Sequence, residues 1–286
     1  MGGPSSEREV SLNSGRAVAE ALRSVGYDVA EIDLKGRELE LPDGIEAVFV
    51  ALHGEFGEDG QIQEILRTRG IPYTGSGPEA SRRSFDKLLS KKTFVEKGIP
   101  TPKYEILRKG QGRSLPLPVV VKPIRQGSSI GVHIVSDEAD WPAALEEALT
   151  HDGEVLVETF IAGRELTVGV VGGDVLPVLE IKAPDGFYNY TAKYTKGLTQ
   201  YIVPADISVE CAAECRRLAL LTFQALDCKD MGRVDFRLAP GGDLFVLELN
   251  NIPGFTGTSL LPKAARAMGI EFPELCDRII RMACVH

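Results

Sequence analysis

The chain has 286 residues, 43% hydrophobic and 26% charged, with a formal net charge of −9. Those proportions suit a globular chain of one large or two to three small domains and exclude disordered and fibrous classes. The acidic excess repels polyphosphate duplexes and anionic headgroups, and no basic patch offsets it, so neither a nucleic-acid nor a membrane-surface partner is expected. Its longest apolar runs, such as Val48 to Leu52 and Val119 to Val121, fall far short of the roughly 20 residues that cross a bilayer. The N-terminus has no basic-then-apolar signal pattern. Five cysteines without a CxxC pair fit a reducing compartment better than a disulfide framework. A cytoplasmic protein is expected.

β-Branched runs alternate with amphipathic stretches, the pattern of α/β or α+β layers. In Ser14 to Val25, residues Val18, Ala21, Leu22 and Val25 share a helical face, and Gly26 is a stop. Tyr27 to Leu34 and Ala47 to Leu52 read as strands, and Gln61 to Arg69 as a helix. Thr74 to Pro78 is rich in turn formers and marks a domain boundary. Gly75 to Ala80 matches the dinucleotide glycine pattern in letters, but it does not follow a first strand directly and a proline follows its second glycine. The next helix is predicted over Ser84 to Lys97, with Phe85, Leu88, Leu89 and Val95 on its buried face and lysines on the other. Pro118 to Lys122, Val155 to Val157, Glu165 to Val171 and Val175 to Ile181 read as strands. A polar loop spans 185–198, a helix Val209 to Leu226, and a β-hairpin turns around Pro240. Cys211 and Cys215 lie four apart on that last helix, which points to packing rather than zinc.

The hairpin carries the strongest chemical signal. Alternation sends Val234, Phe236 and Leu238 one way and Arg233, Asp235 and Arg237 the other; on the return strand Glu248 and Asn250 oppose Phe245, Leu247 and Leu249. With a loop at Pro240 to Asp243, Asp235 faces Glu248 and Arg233 faces Asn250. Two facing carboxylates repel unless a cation neutralises them, and Asp, Glu and Asn oxygens suit Mg²⁺ with substrate phosphate. The competing reading is a solvated sheet face with arginine salt bridges. Lys122 ends an apolar strand beside the loop Gln126 to Gly131, where a buried ammonium calls for an anion and the loop amides can cradle phosphate. Lys87 is a second candidate cation; on its own, ordinary surface charge explains it as well. Glu158 and Glu165 flank Thr159-Phe160-Ile161-Ala162, a joint where an adenosine would meet apolar side chains and two carboxylates. His53 ends a strand before Gly54, where a site role and a satisfied loop histidine are equally open.

Several blocks then occur together in one order. They are Gly2 to Ser11, Leu52-His-Gly54 with Gly57 to Gly60, Pro72 to Gly77, Asp86-Lys-Leu88, Val121-Lys-Pro123, Gly127-Ser-Ser129, Ala192-Lys-Tyr194, Gly232 to Asp235, and Glu248-Leu-Asn250 through Pro253-Gly254 to Ser259-Leu260. Across nearly the whole chain they resemble the D-alanine–D-alanine ligases of the ATP-grasp family. The resemblance implies an ATP-grasp fold, α/β and α+β, with an N-terminal domain (1–76), a central domain (77–158) and a C-terminal domain (159–286), ATP lying between the last two. It implies that ATP phosphorylates one D-alanine carboxylate and that the amine of a second attacks the acyl phosphate, a step of peptidoglycan precursor synthesis.

By the same resemblance, Asp235, Glu248 and Asn250 hold two Mg²⁺ ions, with Mn²⁺ an alternative, while Lys87, Lys122 and Lys193 cancel phosphate charge. Glu158, Phe160, Ile161 and Glu165 surround the adenosine. Glu7 binds the first D-alanine's ammonium, with His53 nearby and Ser128 and Tyr194 completing a hydrogen-bonded group. Arg233 and the Gly254 backbone form an oxyanion hole, and Ser259 and Leu260 receive the second carboxylate. The 185–198 loop becomes a lid that shields the acyl phosphate from water, and its Tyr194 favours D-alanine over D-lactate as acceptor. A homodimer is implied. Family members begin with a short apolar strand before the Gly-Gly turn; here Met1 stands at the turn, so an N-terminal sheet one strand short and a less firmly held Glu7 loop are expected. Asn251, Thr258, Gln126 and Asn189 depart from the family's usual residues without removing a metal ligand or a phosphate lysine. Two rivals remain at this point: a ligase for other amino or hydroxy acids, and a nucleotide-binding pseudoenzyme.

Overall fold

A computed structural model describes residues 1–184, 195 and 197–284. Two antiparallel sheets and the helices on their outer faces position the site. The first sheet comprises β1 (Tyr104–Arg108), β2 (Val119–Pro123), β3 (His133–Val135) and β4 (Glu154–Thr159), in the order β1-β4-β2-β3. Period-two alternation sends Val119, Val121, Val155 and Val157 against Ala144 and Ala148 of a covering helix, Trp141–His151. The opposite face carries Val120, Lys122 and Glu158 towards a cleft.

Across the cleft stands the second sheet. It contains β5 (Arg164–Val171), β6 (Asp174–Val175), β7 (Leu179–Lys182), β8 (Gln200–Ile202), β9 (Met231–Leu238) and β10 (Leu244–Asn250), ordered β10-β9-β5-β7-β8 with β6 beside β5. Leu166, Val168, Val234, Phe236 and Val246 pack under Leu218, Ala219 and Phe223 of the helix Val209–Ala225. Cys215 is buried in the same core, as expected of a packing cysteine. Gly163 turns the chain between β4 and β5 at φ +124°, where a Cβ would lie 2.1 Å from the Leu238 carbonyl oxygen; only glycine fits both constraints.

Three sequence expectations change. After α1 (Arg8–Ser24) and α2 (Gln61–Thr68), the helix predicted over Ser84 to Lys97 is two helices, α3 (Pro78–Phe85) and α4 (Lys87–Glu96). They break at Asp86, whose extended backbone and carboxylate, accepting from Leu89 N at 3.0 Å, cap α4. The buried face of α4 is Ser90, Lys91 and Phe94, while Leu89 and Val95 are exposed. The break rotates α4, and Phe94 joins the core under β5 and β9 in place of the leucine pair.

Tyr27 to Leu34 and Ala47 to Leu52 do not form regular strands. They make only single parallel bridges, Gly2 to Leu34 and Val48 to Tyr73. Both segments line a cavity of about 720 Å³ beneath the helix Arg8–Ser24, so no ladder of hydrogen bonds joins one to the other. The strand predicted over Val175 to Ile181 is interrupted, giving β6 and β7, because Leu176 and Val178 turn inward to separate core clusters. The polar loop at 185–198, with Asn189, Lys193 and Tyr194, lies largely outside the described residues.

Leu166 is fully buried on β5, a strand at the middle of the six-stranded sheet. Leu166→Ala is expected to lower the unfolding free energy by about 2–5 kcal/mol, measured by urea denaturation. A change near zero would mean that this strand does not carry the core.

Candidate nucleotide and metal site

The β9–β10 hairpin places Asp235 opposite Glu248 and Arg233 opposite Asn250, the register expected. It reaches that register by a different route. Leu244 pairs with Leu238, so the turn is 239–243, one residue longer than predicted, and a bulge between Val246 and Glu248 absorbs the difference. The bulge also switches faces. Leu244 and Val246 point into the core before it and Leu249 after it, so Leu247 lines the cleft beside Glu248 instead of joining the core.

Asp235 is gripped from several sides. Arg233 donates Nε to Oδ1 at 2.9 Å and Nη2 to Oδ2 at 2.8 Å, Thr167 Oγ1 donates at 2.6 Å, and Asn250 Nδ2 donates at 3.0 Å. The arginine ion pair of the competing reading is present, on side chains that are mostly buried rather than solvated, and Asp235 and Glu248 stand opposite each other in register. Glu248 has the Lys87 ammonium 3.7 Å from Oε2. Among the described residues no three His, Cys, Asp or Glu side chains gather as a metal cluster. The third oxygen here belongs to Asn250, whose amide donates to Asp235 through nitrogen and leaves Oδ1 turned elsewhere. Two carboxylates and an amide oxygen on adjacent strands are a hard donor set that fits Mg²⁺.

Lys87, Lys122, Ser128, Glu158, Phe160 and Ile161, together with Glu165 from β5 beside the hairpin, line the same cleft as Asp235 and Glu248. The N-terminal cavity is larger, but it shares no lining residue with this cleft and its charged lining side chains are all acidic. Lys87 donates to the Gln126 carbonyl at 2.6 Å. Ser128 and Ser129 both adopt left-handed backbone, at φ 51° and 59°, an uncommon conformation for non-glycine residues that shapes the loop beneath Lys87.

Glu158 is almost fully buried and forms ion pairs with both Lys91 and Lys122. Burial would raise its pKa, but the charges of Lys122 and Lys91 outweigh that and hold it below the ordinary carboxylate range. Lys91 pays the opposite penalty: burial lowers its pKa to about 8, although the Glu158 charge opposes the shift. Glu165 accepts from Arg237 at 3.2 Å, and the same guanidinium donates to the Ile161 and Gly163 carbonyls at 3.0 Å each. Arg237 thus fixes the 160–163 segment and lies over the Phe160 ring.

A second cluster adjoins the phosphate-side loop. Glu7, at the N-cap of the first helix, accepts a hydrogen bond from Ser128. A Cβ on Gly127 would sit 2.3 Å from the Glu7 carboxylate, so only glycine allows this approach. Glu7 is buried, and its loop is tied down by the Ser5 hydroxyl, which donates to the His53 carbonyl and accepts from Glu7 N. His53 is a satisfied buried histidine within the site. Its Nδ1 lies 3.1 Å from the Ile252 carbonyl, which can only accept, so in the neutral ring Nε2 accepts from Ser14 Oγ at 3.0 Å. Glu58 approaches His53 at 3.7 Å, and its pKa is raised, chiefly by burial and also by the Glu7 charge.

Further along, Gly254 lies against Ser259, the N-cap of a short helix, Leu260–Arg266. Ser259 Oγ accepts from Thr256 N at 3.0 Å. The Leu260 side chain is buried with Leu179 and Ile181, so only its backbone remains to meet a ligand. Asn251 donates to the Glu58 carbonyl at 2.9 Å, and Thr258 Oγ1 lies 3.2 Å from Thr256 Oγ1. Lys193 and Tyr194 lie outside the described residues. Sequence spacing gave no signal for Lys91, which sits among surface-like lysines, or for Thr167; Glu58 stood inside a quoted block without a role.

Comparison with known proteins adds the family context. A family model described as "D-ala D-ala ligase C-terminus" matches residues 92–281, and one described as "D-ala D-ala ligase N-terminus" matches 33–76. The chain is 46% identical over 284 residues to a D-alanine–D-alanine ligase of Methylacidiphilum infernorum, covering 99% of this chain and 93% of the relative. It is 48% identical over 292 residues to that of Syntrophotalea carbinolica, covering 100% and 95%. A crystal structure of the Bacillus anthracis D-alanine–D-alanine ligase complexed with ATP superposes with a TM-score of 0.85 at 33% identity, covering 99% of this chain and 95% of that one.

The depressed Lys91 sets a pH dependence. Between its folded value of about 8 and the ordinary 10.5, the unfolded chain binds more protons, so this group's contribution to stability grows as pH rises and is lost as pH falls. In urea titrations the stability of the wild-type protein relative to Lys91→Met should increase between about pH 8 and about pH 10. An unchanged difference would mean that Lys91 titrates as in water.

Proposed function

The chain belongs to the D-alanine–D-alanine ligase family, and on that premise we propose the roles its residues take in the reaction. The protein is an ATP-dependent carboxylate–amine ligase that joins two D-alanine molecules through an acyl phosphate, supplying a dipeptide for peptidoglycan synthesis. The γ-phosphoryl group passes to a carboxylate oxygen of the first D-alanine as ADP leaves. The amine of the second attacks the acyl carbon, and phosphate departs.

In our reading Lys87 from α4 and Lys122 from the first sheet hold the phosphates, and Asp235, Glu248 and Asn250 would hold two Mg²⁺ ions from the second sheet, with Mn²⁺ an alternative. When bound, Mg²⁺ supplies neutralisation of phosphate charge. Phe160 and Ile161 pack the adenine, their segment held by Arg237, and Glu158 and Glu165 border it with carboxylates already oriented by cations. Glu7 receives the first ammonium beside His53, and Ser128 links that carboxylate to the phosphate loop. Arg233 and the Gly254 backbone stabilise the tetrahedral oxygen, while Ser259 and the Leu260 backbone take the second carboxylate. Lys193 and Tyr194 would act from the 185–198 loop as phosphate cation and acceptor selector.

We divide the chain at 1–76, 77–158 and 159–286, a division supported by one sheet falling within 104–159 and the other within 164–250. A cytoplasmic homodimer is our proposal for location and assembly, supported by the reaction's need for ATP and by the family; among the described residues no helix is long and apolar enough to cross a membrane. The observation that carries the reading is the Asp235–Glu248 pair facing Lys87 and Lys122 across one cleft.

With ATP and Mg²⁺, D-alanine should stimulate phosphate release, and L-alanine and D-lactate should not. Binding of ATP without D-alanine-dependent release would instead favour a pseudoenzyme. Glu248→Gln should cut turnover by about a hundredfold or more; a fully active variant would remove the hairpin from the reaction.

A further inference from the structure

Lys91 has no role in the reaction described above, yet it is the most deeply buried charge on α4, at 1% exposure. A long charged side chain is costly to bury unless it is paired. Its ammonium contacts two groups from different parts of the chain. One is the Glu158 carboxylate, which is shared with Lys122. The other is the Thr101 hydroxyl. Thr101 in turn donates to the Val246 carbonyl at 2.8 Å, while Val246 N donates to the Pro100 carbonyl at 2.8 Å. Val246 is the residue at which β10 bulges and turns Glu248 into the cleft.

We infer that Lys91 is a positioning residue for nucleotide binding: it holds Glu158 and Lys122 on one side of the cleft and, through Thr101, the bulge that presents Glu248 on the other. The inference rests on the ligase reading for the identity of the nucleotide. The charge count explains why a second lysine is needed. Glu158 alone with Lys122 is a neutral pair in which the ammonium is drawn onto the carboxylate. With Lys91 taking one oxygen, the trio carries one excess positive charge, and Lys122, at the cleft wall, is the member that can offer it to a phosphate. A role in stability alone predicts the reverse, since removing Lys91 leaves a matched buried pair and little reason for nucleotide affinity to change.

The test uses the full chain as wild type, Lys91→Met and Thr101→Val, with Mg²⁺-ATP affinity read by calorimetry alongside phosphate release and thermal melting. Lys91→Met should weaken Mg²⁺-ATP binding and raise the KM for ATP by about tenfold or more, with the KM for the first D-alanine unchanged. Thr101→Val keeps the ammonium and removes the link to Val246, so it should raise the half-saturating Mg²⁺ concentration by about threefold or more. A lowered melting temperature with wild-type ATP affinity in Lys91→Met overturns the inference. If Lys91→Met does not fold, an unaltered ATP and Mg²⁺ dependence in Thr101→Val overturns it equally. Wild-type protein that binds ATP but releases no phosphate with D-alanine would sink the ligase reading and leave the calorimetric comparison to decide the role of Lys91.

Discussion

Ion pairing across the cleft is the constraint on which the rest of the structure depends, and among the described side chains that make it, five cations meet four carboxylates. The chain as a whole is acidic, at −9, yet Lys87, Lys91, Lys122, Arg233 and Arg237 converge on Glu158, Glu165, Asp235 and Glu248. Each carboxylate is matched to at least one cation, and Glu158 is matched to two. The positive remainder sits in a low-dielectric slot between two sheets, where a fixed charge acts on a ligand more strongly than it would in water. On the proposed reading, an anion entering there meets cations already oriented by their carboxylate partners.

Backbone geometry decides which charges belong to that set. In β10 a strict alternation from the five-residue turn would put Leu247 opposite Asp235 and send Glu248 into the core. The bulge reverses this in a single step. It is secured by the Pro100–Thr101 segment, which takes up the Val246 amide and carbonyl. The connector after α4 therefore serves the second sheet although it leads into the first. The two walls of the cleft are registered to each other by these bonds.

Much of the architecture could be read from the residues because its causes are local. Alternation in Met231 to Leu238 reports one covered face, and a short Gly-rich turn brings the return strand back, so Asp235 and Glu248 could be paired on paper. The block order across the chain carried the family and, through it, Glu7, His53 and Ser128. What could not be read depends on distant partners. Nothing near Lys91 distinguishes it from Lys92, because the acid that buries it lies on β4. Asp86 looks like a helix residue until its carboxylate is seen capping α4, and the rotation that follows buries Phe94 in place of the leucine pair. The Tyr27 and Ala47 segments have strand composition, but a ladder needs a neighbouring edge within hydrogen-bond reach, and each meets one only at a single bridge.

The contact between Glu7 and Ser128 joins the two halves of the site. Glu7 belongs to the first helix and Ser128 to the loop beneath Lys87 and Lys122, and Gly127 permits the carboxylate to lie on the loop backbone. On the proposed role of Glu7, a substrate ammonium meets a carboxylate that already accepts from Ser128, so the loop and the substrate share one carboxylate. The same loop carbonyl at Gln126 holds the Lys87 ammonium, 3.7 Å from Glu248. A displacement of Ser128 therefore reaches Lys87 within two residues of chain and Glu248 through one further contact. On the proposed roles, substrate recognition and phosphate placement share one short loop whose consecutive left-handed serines restrict its conformations, so an ammonium on one side and phosphates on the other are positioned by the same backbone.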